Sequence, residues 1–223
     1  MIGLQILKRK RAVSLDLARQ FLDIPVANVS DCMARMSGAG PRLRPMHKGG
    51  TLVGPAFTVK TRPGDNLMIH KALELASPGD VIVVDGGGDL TNSLFGEIMS
   101  RQAEVKGLAG VVINGAIRDA GILRQGSFPV FAAGVTHRGP YKDGPGEINV
   151  AIAIDGMVIE PGDLILGDDD GLLCVPFDQV ESLYAAARAK MALEEKMMAD
   201  INAGTHDTAW VNATLNRIGC PLA

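Results

Sequence analysis

Residues 111–119 read Val111-Val112-Ile113-Asn114-Gly115-Ala116-Ile117-Arg118-Asp119, an apolar strand that ends in a guanidinium beside a carboxylate. Charge at the exit of a buried strand is costly unless it is paired or used. Upstream, Asn92-Ser93-Leu94-Phe95-Gly96-Glu97-Ile98-Met99 reads as a loop opening a helix near Gly96, and twenty residues separate Glu97 from Arg118. An acid so placed can hold a hard divalent cation, and an Arg can grip a carboxylate through two hydrogen bonds. Free N–H groups at the start of that helix, at Glu97, Ile98 and Met99, form a second candidate anion site. The plainer reading of Arg118-Asp119 is a surface ion pair. Against it stands the tendency of open α/β sheets to bind ligands beyond the carboxyl ends of their strands.

The flanking sequence alternates short apolar runs with helical spacing. Val81-Ile82-Val83-Val84-Asp85 and Val130-Phe131-Ala132-Ala133 read as strands, and residues 66–76 and 95–106 read as helices. This alternation predicts an α/β fold layered around a mainly buried sheet. Residues 51–61 predict a strand with Pro55 at a bulge or edge. Residues 14–36 carry helical spacing, with Leu15, Ala18, Phe21 and Leu22 on one face. Pro25 breaks that run, and Asn28 or Ser30 is expected to cap a second helix through Met36. Residues 148–176 read as purely β. Ile148–Ile154 is followed by a hairpin turn at Asp155-Gly156, by Met157–Ile159, and by Leu164–Leu166 and Leu172–Val175. Asp168-Asp169-Asp170-Gly171 lacks the EF-hand spacing and downstream Glu, so it reads as a hairpin turn. A long helix spans 178–203 and stops at Gly204. Its Ala- and Met-rich face suits either its own domain or a neighbouring subunit.

The chain has 223 residues, 47% hydrophobic and 21% charged, enough for a sizeable core and against global disorder. Net charge is −3, which points away from nucleic acid. The run Lys8-Arg9-Lys10-Arg11 is expected on the solvated face of the first helix. Three scattered cysteines form no CxxC, arguing against a disulfide framework or thiolate zinc site. No apolar stretch is long enough to span a membrane, and Asp16 and Arg19 interrupt any signal-peptide core, so a soluble cytoplasmic protein is expected.

Other chemistries find little support. Gly86-Gly87-Gly88 follows a strand but matches neither GxGxxG nor GxxxxGK[ST]. It reads better as the frame of a cavity. The four histidines show no HxH or HxxxH spacing, and Ser-His-Asp catalysis lacks a GxSxG elbow. His137 sits in a polar loop with a structural or a contact role open. Lys60, Lys71 and Lys142 are conceivable Schiff-base lysines, none singled out locally.

The Glu97/Arg118-Asp119 spacing, the strand Gly79-Asp80-Val81-Ile82-Val83-Val84-Asp85-Gly86, and Tyr141-Lys142-Asp143-Gly144-Pro145-Gly146-Glu147-Ile148-Asn149 carry a family resemblance. Over residues 25–205 the chain resembles the 4-hydroxy-4-methyl-2-oxoglutarate/4-carboxy-4-hydroxy-2-oxoadipate aldolases, class II pyruvate aldolases related to the regulator of ribonuclease E activity A. The resemblance implies an α-β-β-α sandwich similar to swivelling phosphohistidine domains, with a catalytic core over 1–176. It implies a helical extension over 177–223 that packs on a neighbouring subunit of a homotrimer or homohexamer. It further implies that Asp119 ligates Mg²⁺ or Mn²⁺ directly and that Glu97 holds metal-bound water. Arg118 would bind the 2-oxo acid and its enolate, and the Gly96–Met99 segment would take the substrate carboxylate through the Ile98 and Met99 amides. Glu195, or Glu194, of a neighbouring subunit would complete the outer metal shell. The family often has Asp where Glu97 stands. Oxaloacetate decarboxylation, which passes through the same enolate, is expected as a side activity. The competing class is a non-catalytic regulator of the ribonuclease E type, against which the acids of the C-terminal extension speak. A methyltransferase reading lacks a cofactor loop.

Overall fold

Alternate residues of the strand Val81–Asp85 serve two different cores. Ile82 and Val84 pack with two helices on one side, Val81 and Val83 with further strands on the other, and all four are fully buried. A central parallel strand covered on both faces reads as an unbroken apolar run for this reason. Each such side chain contributes about 1.5–3 kcal/mol by leaving water.

The computed structural model describes residues 2–34 and 38–221. Its strands are β1 (Leu4–Ile6), β2 (Arg44–Pro45), β3 (Leu52–Thr61), β4 (Val81–Asp85), β5 (Ser93–Phe95), β6 (Gly110–Ile117), β7 (Val130–Val135), β8 (Gly146–Ile148), β9 (Ile152–Ile154), β10 (Met157–Ile159), β11 (Leu164–Asp168) and β12 (Gly171–Val175). Its helices are α1 (Leu15–Arg19), α2 (Val26–Cys32), α3 (Leu67–Leu75), α4 (Glu97–Val105), α5 (Ala120–Leu123), α6 (Val180–Asn202) and α7 (Ala209–Arg217). The central sheet runs β1-β8-β3-β4-β6-β7-β2, with β3, β4, β6 and β7 mutually parallel.

Three cores define four layers. Helices α3 and α4 cover one face of the sheet through Phe57, Val59, Ile82, Val84, Val111 and Ile113. The opposite face meets β9–β12 through Ile152, Ile154, Ile165, Leu172 and Cys174. The outward residues of β11 and β12 (Leu164, Leu166, Leu173, Val175) then pack under α1, α2 and α6. The period of two along each strand thus produces a mixed α/β sandwich with a long C-terminal helix. Strand β3 ties the layers together. Its first residues pair with β11 and its later ones with β4, and Pro55 stands at the exchange, paired with Leu164.

Several expectations are corrected. No helix forms at Lys8-Arg9-Lys10-Arg11. Arg9 is drawn to Asp80 at 2.7 Å, and Arg11 to Asp178 at 2.9 Å and Glu160 at 3.3 Å. Neither Asn28 nor Ser30 caps α2. Pro25 holds the cap position, and the distant Asp168 accepts from the Val26 N–H at 2.9 Å. Asn28 lies inside the helix and donates to Glu194 at 2.7 Å. The predicted end of that helix at Met36 falls outside the described residues. Residues 95–106 begin as β5, so α4 starts at Glu97, and Ile148–Ile154 is two strands, not one. The hairpin turns at Asp155-Gly156 and at Asp168–Gly171 form as expected. In the first, Asp155 and Gly156 both have positive φ, the conformation a two-residue hairpin turn requires.

Helix α6 is divided in its environment. Val180, Leu183 and Ala187 are buried in the third core, and the Phe21 and Tyr184 rings meet edge-on at 5.4 Å. Farther along, Leu193, Met198 and, on α7, Trp210 are more than half exposed. No helix among the described residues is long and apolar enough to cross a membrane.

Candidate active site

Strand β5 decides the local geometry. It pairs parallel to the end of β6, Ser93 with Ala116 and Phe95 with Ile117, and the Arg118 N–H donates to the Phe95 carbonyl at 2.9 Å. Gly96 and Glu97 therefore emerge beside Arg118 and Asp119, although twenty residues intervene. Asp119 takes a left-handed conformation, φ 56°, as it turns from β6 into α5. Asp tolerates this region better than most residues, and such positions cluster at functional sites.

The pieces interlock. Asp119 Oδ2 accepts the Glu97 N–H at 3.0 Å. Arg118 Nε lies 3.8 Å from the same oxygen, an ion pair too long for a hydrogen bond. The two side chains are 45% and 38% exposed, so the pair contributes at most about 1 kcal/mol to stability. That is too little to explain two charges at a strand exit, which leaves both free for a ligand. The N–H groups of Ile98 and Met99, in the first turn of α4, have no acceptor among the described residues.

Arg118, Asp119, Gly96, Ile98 and Met99 line one cavity of about 220 Å³. This is smaller than the roughly 300–1,000 Å³ typical of pockets for drug-sized ligands and suits a small organic acid. The cavity is also lined by Asn66 at the start of α3 and His70 within it, with Pro140 and Lys142 from the loop before β8. Sequence reasoning did not assign these residues to the site. Asn66 stands just before α3, four residues from His70, whose N–H donates to the Asn66 carbonyl at 3.2 Å, a detectable spacing. Nothing in the linear spacing connects them to Lys142. The His70 pKa is lowered from its ordinary value, first by burial and then by the charge of Lys142, so the imidazole is neutral at pH 7.

The other predicted residues lie elsewhere. Glu97 joins the site through its backbone N–H, and the residue also lines a neighbouring hollow between α4 and α5 with Arg101 and Ile122. Glu194 is held by Lys190 at 3.0 Å and by Asn28, and these two contacts, in that order, lower its pKa. Glu195 is exposed on α6. Neither glutamate lines the cavity of its own chain.

Among the described residues no group of three or more His, Cys, Asp or Glu side chains could enclose a metal ion. A cage of protein ligands therefore does not fit. A hard cation held by one carboxylate, with water and substrate oxygens filling its other positions, does fit Asp119, whose Oδ1 accepts no hydrogen bond among these residues.

A family model described as RraA-like, Aldolase/RraA, matches residues 26–174. The chain belongs to the RraA-like family. A Halalkalibacterium halodurans protein, named provisionally as a 4-hydroxy-4-methyl-2-oxoglutarate aldolase, is 40% identical over 181 residues, covering 81% of this chain and 86% of its own. A Thermus thermophilus protein named 4-hydroxy-4-methyl-2-oxoglutarate aldolase is 41% identical over 112 residues, 50% of this chain and 68% of its own. The solved structure of Streptomyces coelicolor RraAS2, described as an unusual member of the RNase ES inhibitor RraA protein family, superposes with a TM-score of 0.75. It is 27% identical and covers 83% of this chain and 96% of its own. That coverage exceeds the matched family core, so segments flanking the core of an RraA-like chain do not by themselves separate enzyme from inhibitor.

Proposed function

We propose that this chain is a divalent-metal-dependent pyruvate aldolase. Its substrates would be 4-hydroxy-4-methyl-2-oxoglutarate, 4-carboxy-4-hydroxy-2-oxoadipate or both, cleaved to pyruvate plus pyruvate or oxaloacetate. The observation that carries the reading is the convergence of Arg118, Asp119 and the two free amides of α4 on one small cavity. The names of the relatives at about 40% identity support the lyase class.

Retro-aldol cleavage needs a grip on the C1 carboxylate, an electron sink at the C2 oxygen and removal of the C4 hydroxyl proton. The Ile98 and Met99 amides take the carboxylate at the positive end of α4. Arg118 places fixed charge where the enolate oxygen develops. Mg²⁺ or Mn²⁺ bound through Asp119 would polarise the C2 carbonyl. The Glu97 N–H holds Asp119 Oδ2 in place. A water held by Glu97, or by Glu195 or Glu194 reaching in from a neighbouring copy, would accept the hydroxyl proton. The exposed apolar residues of α6 and α7 support packing of the 177–223 extension on a neighbour in a homotrimer or homohexamer. Oxaloacetate decarboxylation would accompany the main reaction in the cytoplasm.

The test is pyruvate release from a panel of 4-hydroxy-2-oxo acids, with Mg²⁺ or EDTA, for the wild type, Arg118→Ala and Asp119→Ala. Loss of turnover by about 10³-fold is expected in both variants, with metal affinity falling mainly in the second. Metal-independent release, or an active Asp119→Ala at ordinary Mg²⁺, would reject the mechanism. The likeness to RraAS2 favours one second reading, a ribonuclease-binding regulator. Capture of a ribonuclease by a chain that releases no pyruvate would put that reading first.

A further inference from the structure

The basic run Lys8-Arg9-Lys10-Arg11 has no part in the proposed chemistry. It lines a cavity of about 730 Å³ that shares no lining residue with the one at Arg118. A space of that size falls in the range of roughly 300–1,000 Å³ that holds small organic ligands. The four cations divide into two pairs. The Arg9 guanidinium meets Asp80 at 2.7 Å and the Ala56 carbonyl at 3.3 Å. Arg11 is matched by Asp178 at 2.9 Å and Glu160 at 3.3 Å, and lies 4.8 Å from the centre of the Phe177 ring. Lys8 and Lys10 are exposed and make no ion pair among the described residues. The acid in the lining is Glu160, which Arg11 already faces. Two positive charges are left over at the wall.

The backbone adds further donors. The segment is pinned at both ends, where the Leu7 N–H donates to the Ile148 carbonyl and the Val13 N–H to the Gly162 carbonyl, each at 3.0 Å. Between these points the N–H groups of Lys8, Arg9, Lys10 and Arg11 have no acceptor among the described residues. Asn149 fixes the first end. Its Nδ2 donates to the Leu7 carbonyl at 2.9 Å, and its own N–H to the Thr58 carbonyl at 2.9 Å. Asn149 is held in the left-handed region, φ 57°, and its buried Oδ1 has no hydrogen-bond partner. Both features cost stability, and such features cluster at binding sites. Leu7, Val150 and Pro161 give the same cavity an apolar surface.

Two unpaired ammonium groups beside free amides match a dianion with several acceptor oxygens. A phosphate monoester carries about −1.5 to −2 charges at pH 7 and three such oxygens, whereas a carboxylate carries one charge and two oxygens. The apolar surface calls for an organic body on that phosphate. We propose that this cavity is a second ligand site, for an organic phosphate monoester whose phosphate meets Lys8 and Lys10 and whose body covers Leu7, Val150 and Pro161. The site stands independently of the aldolase reading.

The test is calorimetric binding to the full chain of two monoesters, adenosine 5′-monophosphate and phenyl phosphate, with adenosine and inorganic phosphate as separated halves. At least one monoester should bind about tenfold more tightly than inorganic phosphate, and adenosine should bind more weakly still. The double variant Lys8→Ala/Lys10→Ala should lower monoester affinity by about tenfold or more, as loss of charge-assisted hydrogen bonds implies. Lys8→Arg/Lys10→Arg should keep most of it. Ala151→Glu, which adds a carboxylate to the lining and removes no lysine, should weaken binding to a similar degree. Lys48→Ala, at an exposed lysine outside the cavity, should change nothing. Arg118→Ala should leave monoester binding intact, so a loss of pyruvate release in that variant bears on the aldolase reading alone. Inorganic phosphate binding as tightly as both monoesters overturns the proposal. So do affinity unchanged in the double alanine variant, binding lost in Arg118→Ala, and failure of both monoesters to bind at millimolar concentration, as when another copy of the chain covers this face.

Discussion

Gly96→Ala is the sharpest probe of the Arg118–Asp119 arrangement. Gly96 is extended, φ −163°, so an alanine meets no backbone strain there. Its Cβ, however, would lie 2.6 Å from Asp119 Oδ2 and 3.0 Å from Arg118 Cγ. Ordinary contact begins near 3.4 Å, so the carboxylate must retreat by about 0.8 Å. That displacement breaks the 3.0 Å bond from the Glu97 N–H. It moves the carboxylate proposed to hold the metal relative to the amides proposed to take the substrate. A misplacement near 1 Å can cost about 100-fold in rate, so kcat/KM for pyruvate release should fall by roughly 50- to 100-fold. Stability should change little. Loss of one partly exposed charge-assisted bond costs about 1–2 kcal/mol, offset by about 0.4–1 kcal/mol from a less flexible unfolded chain. Melting should therefore shift by no more than about 6 °C for a chain of this size. The assay is coupled pyruvate release across a Mg²⁺ titration, paired with a thermal melt. A well-folded Gly96→Ala that keeps half of wild-type kcat/KM refutes the claim that Asp119 acts from its present position.

Two further outcomes concern Asp65 and His70. Asp65→Ala leaves the N–H groups of Leu67, Asp143 and Gly144 without their buried acceptor and should cost roughly 3–5 kcal/mol in urea denaturation. A loss below about 1 kcal/mol would show that the clamp is dispensable. The lowered pKa of His70 means that the unfolded chain binds its proton first as pH falls below about 6.5. The neutral imidazole therefore has no stability cost at pH 7.5, and the folded state loses stability as pH drops through the unfolded value toward the lower folded one. His70→Gln should gain stability relative to wild type at pH 5.5 compared with pH 7.5, read as the difference in melting temperature. An identical difference at both pH values would contradict the assignment.

Much of the fold was legible because it depends on local period. The apolar runs that became β4, β6 and β7, the helical spacing of α3, α4 and most of α6, and the turn at Asp155-Gly156 follow from side-chain alternation and φ preferences of a few adjacent residues. Arg118-Asp119 stood out for the same reason, because charge at the end of an eight-residue buried strand violates the pattern around it. The short strands β1 and β5 were missed because three residues carry no period. They exist through pairing with β8 and β6.

By itself, then, the sequence determined the layered α/β class, the strand that delivers Arg118 and Asp119, and the helix start that faces them. The tertiary structure alone decided that Asp168 caps α2, that Glu97 lines a neighbouring hollow, and that Lys142 lines the same cavity as Arg118. Asp168 is 142 residues from Val26, and Asp143 is 78 from Asp65. Contacts across such separations depend on how finished layers stack, and no periodicity within a single segment encodes that stacking.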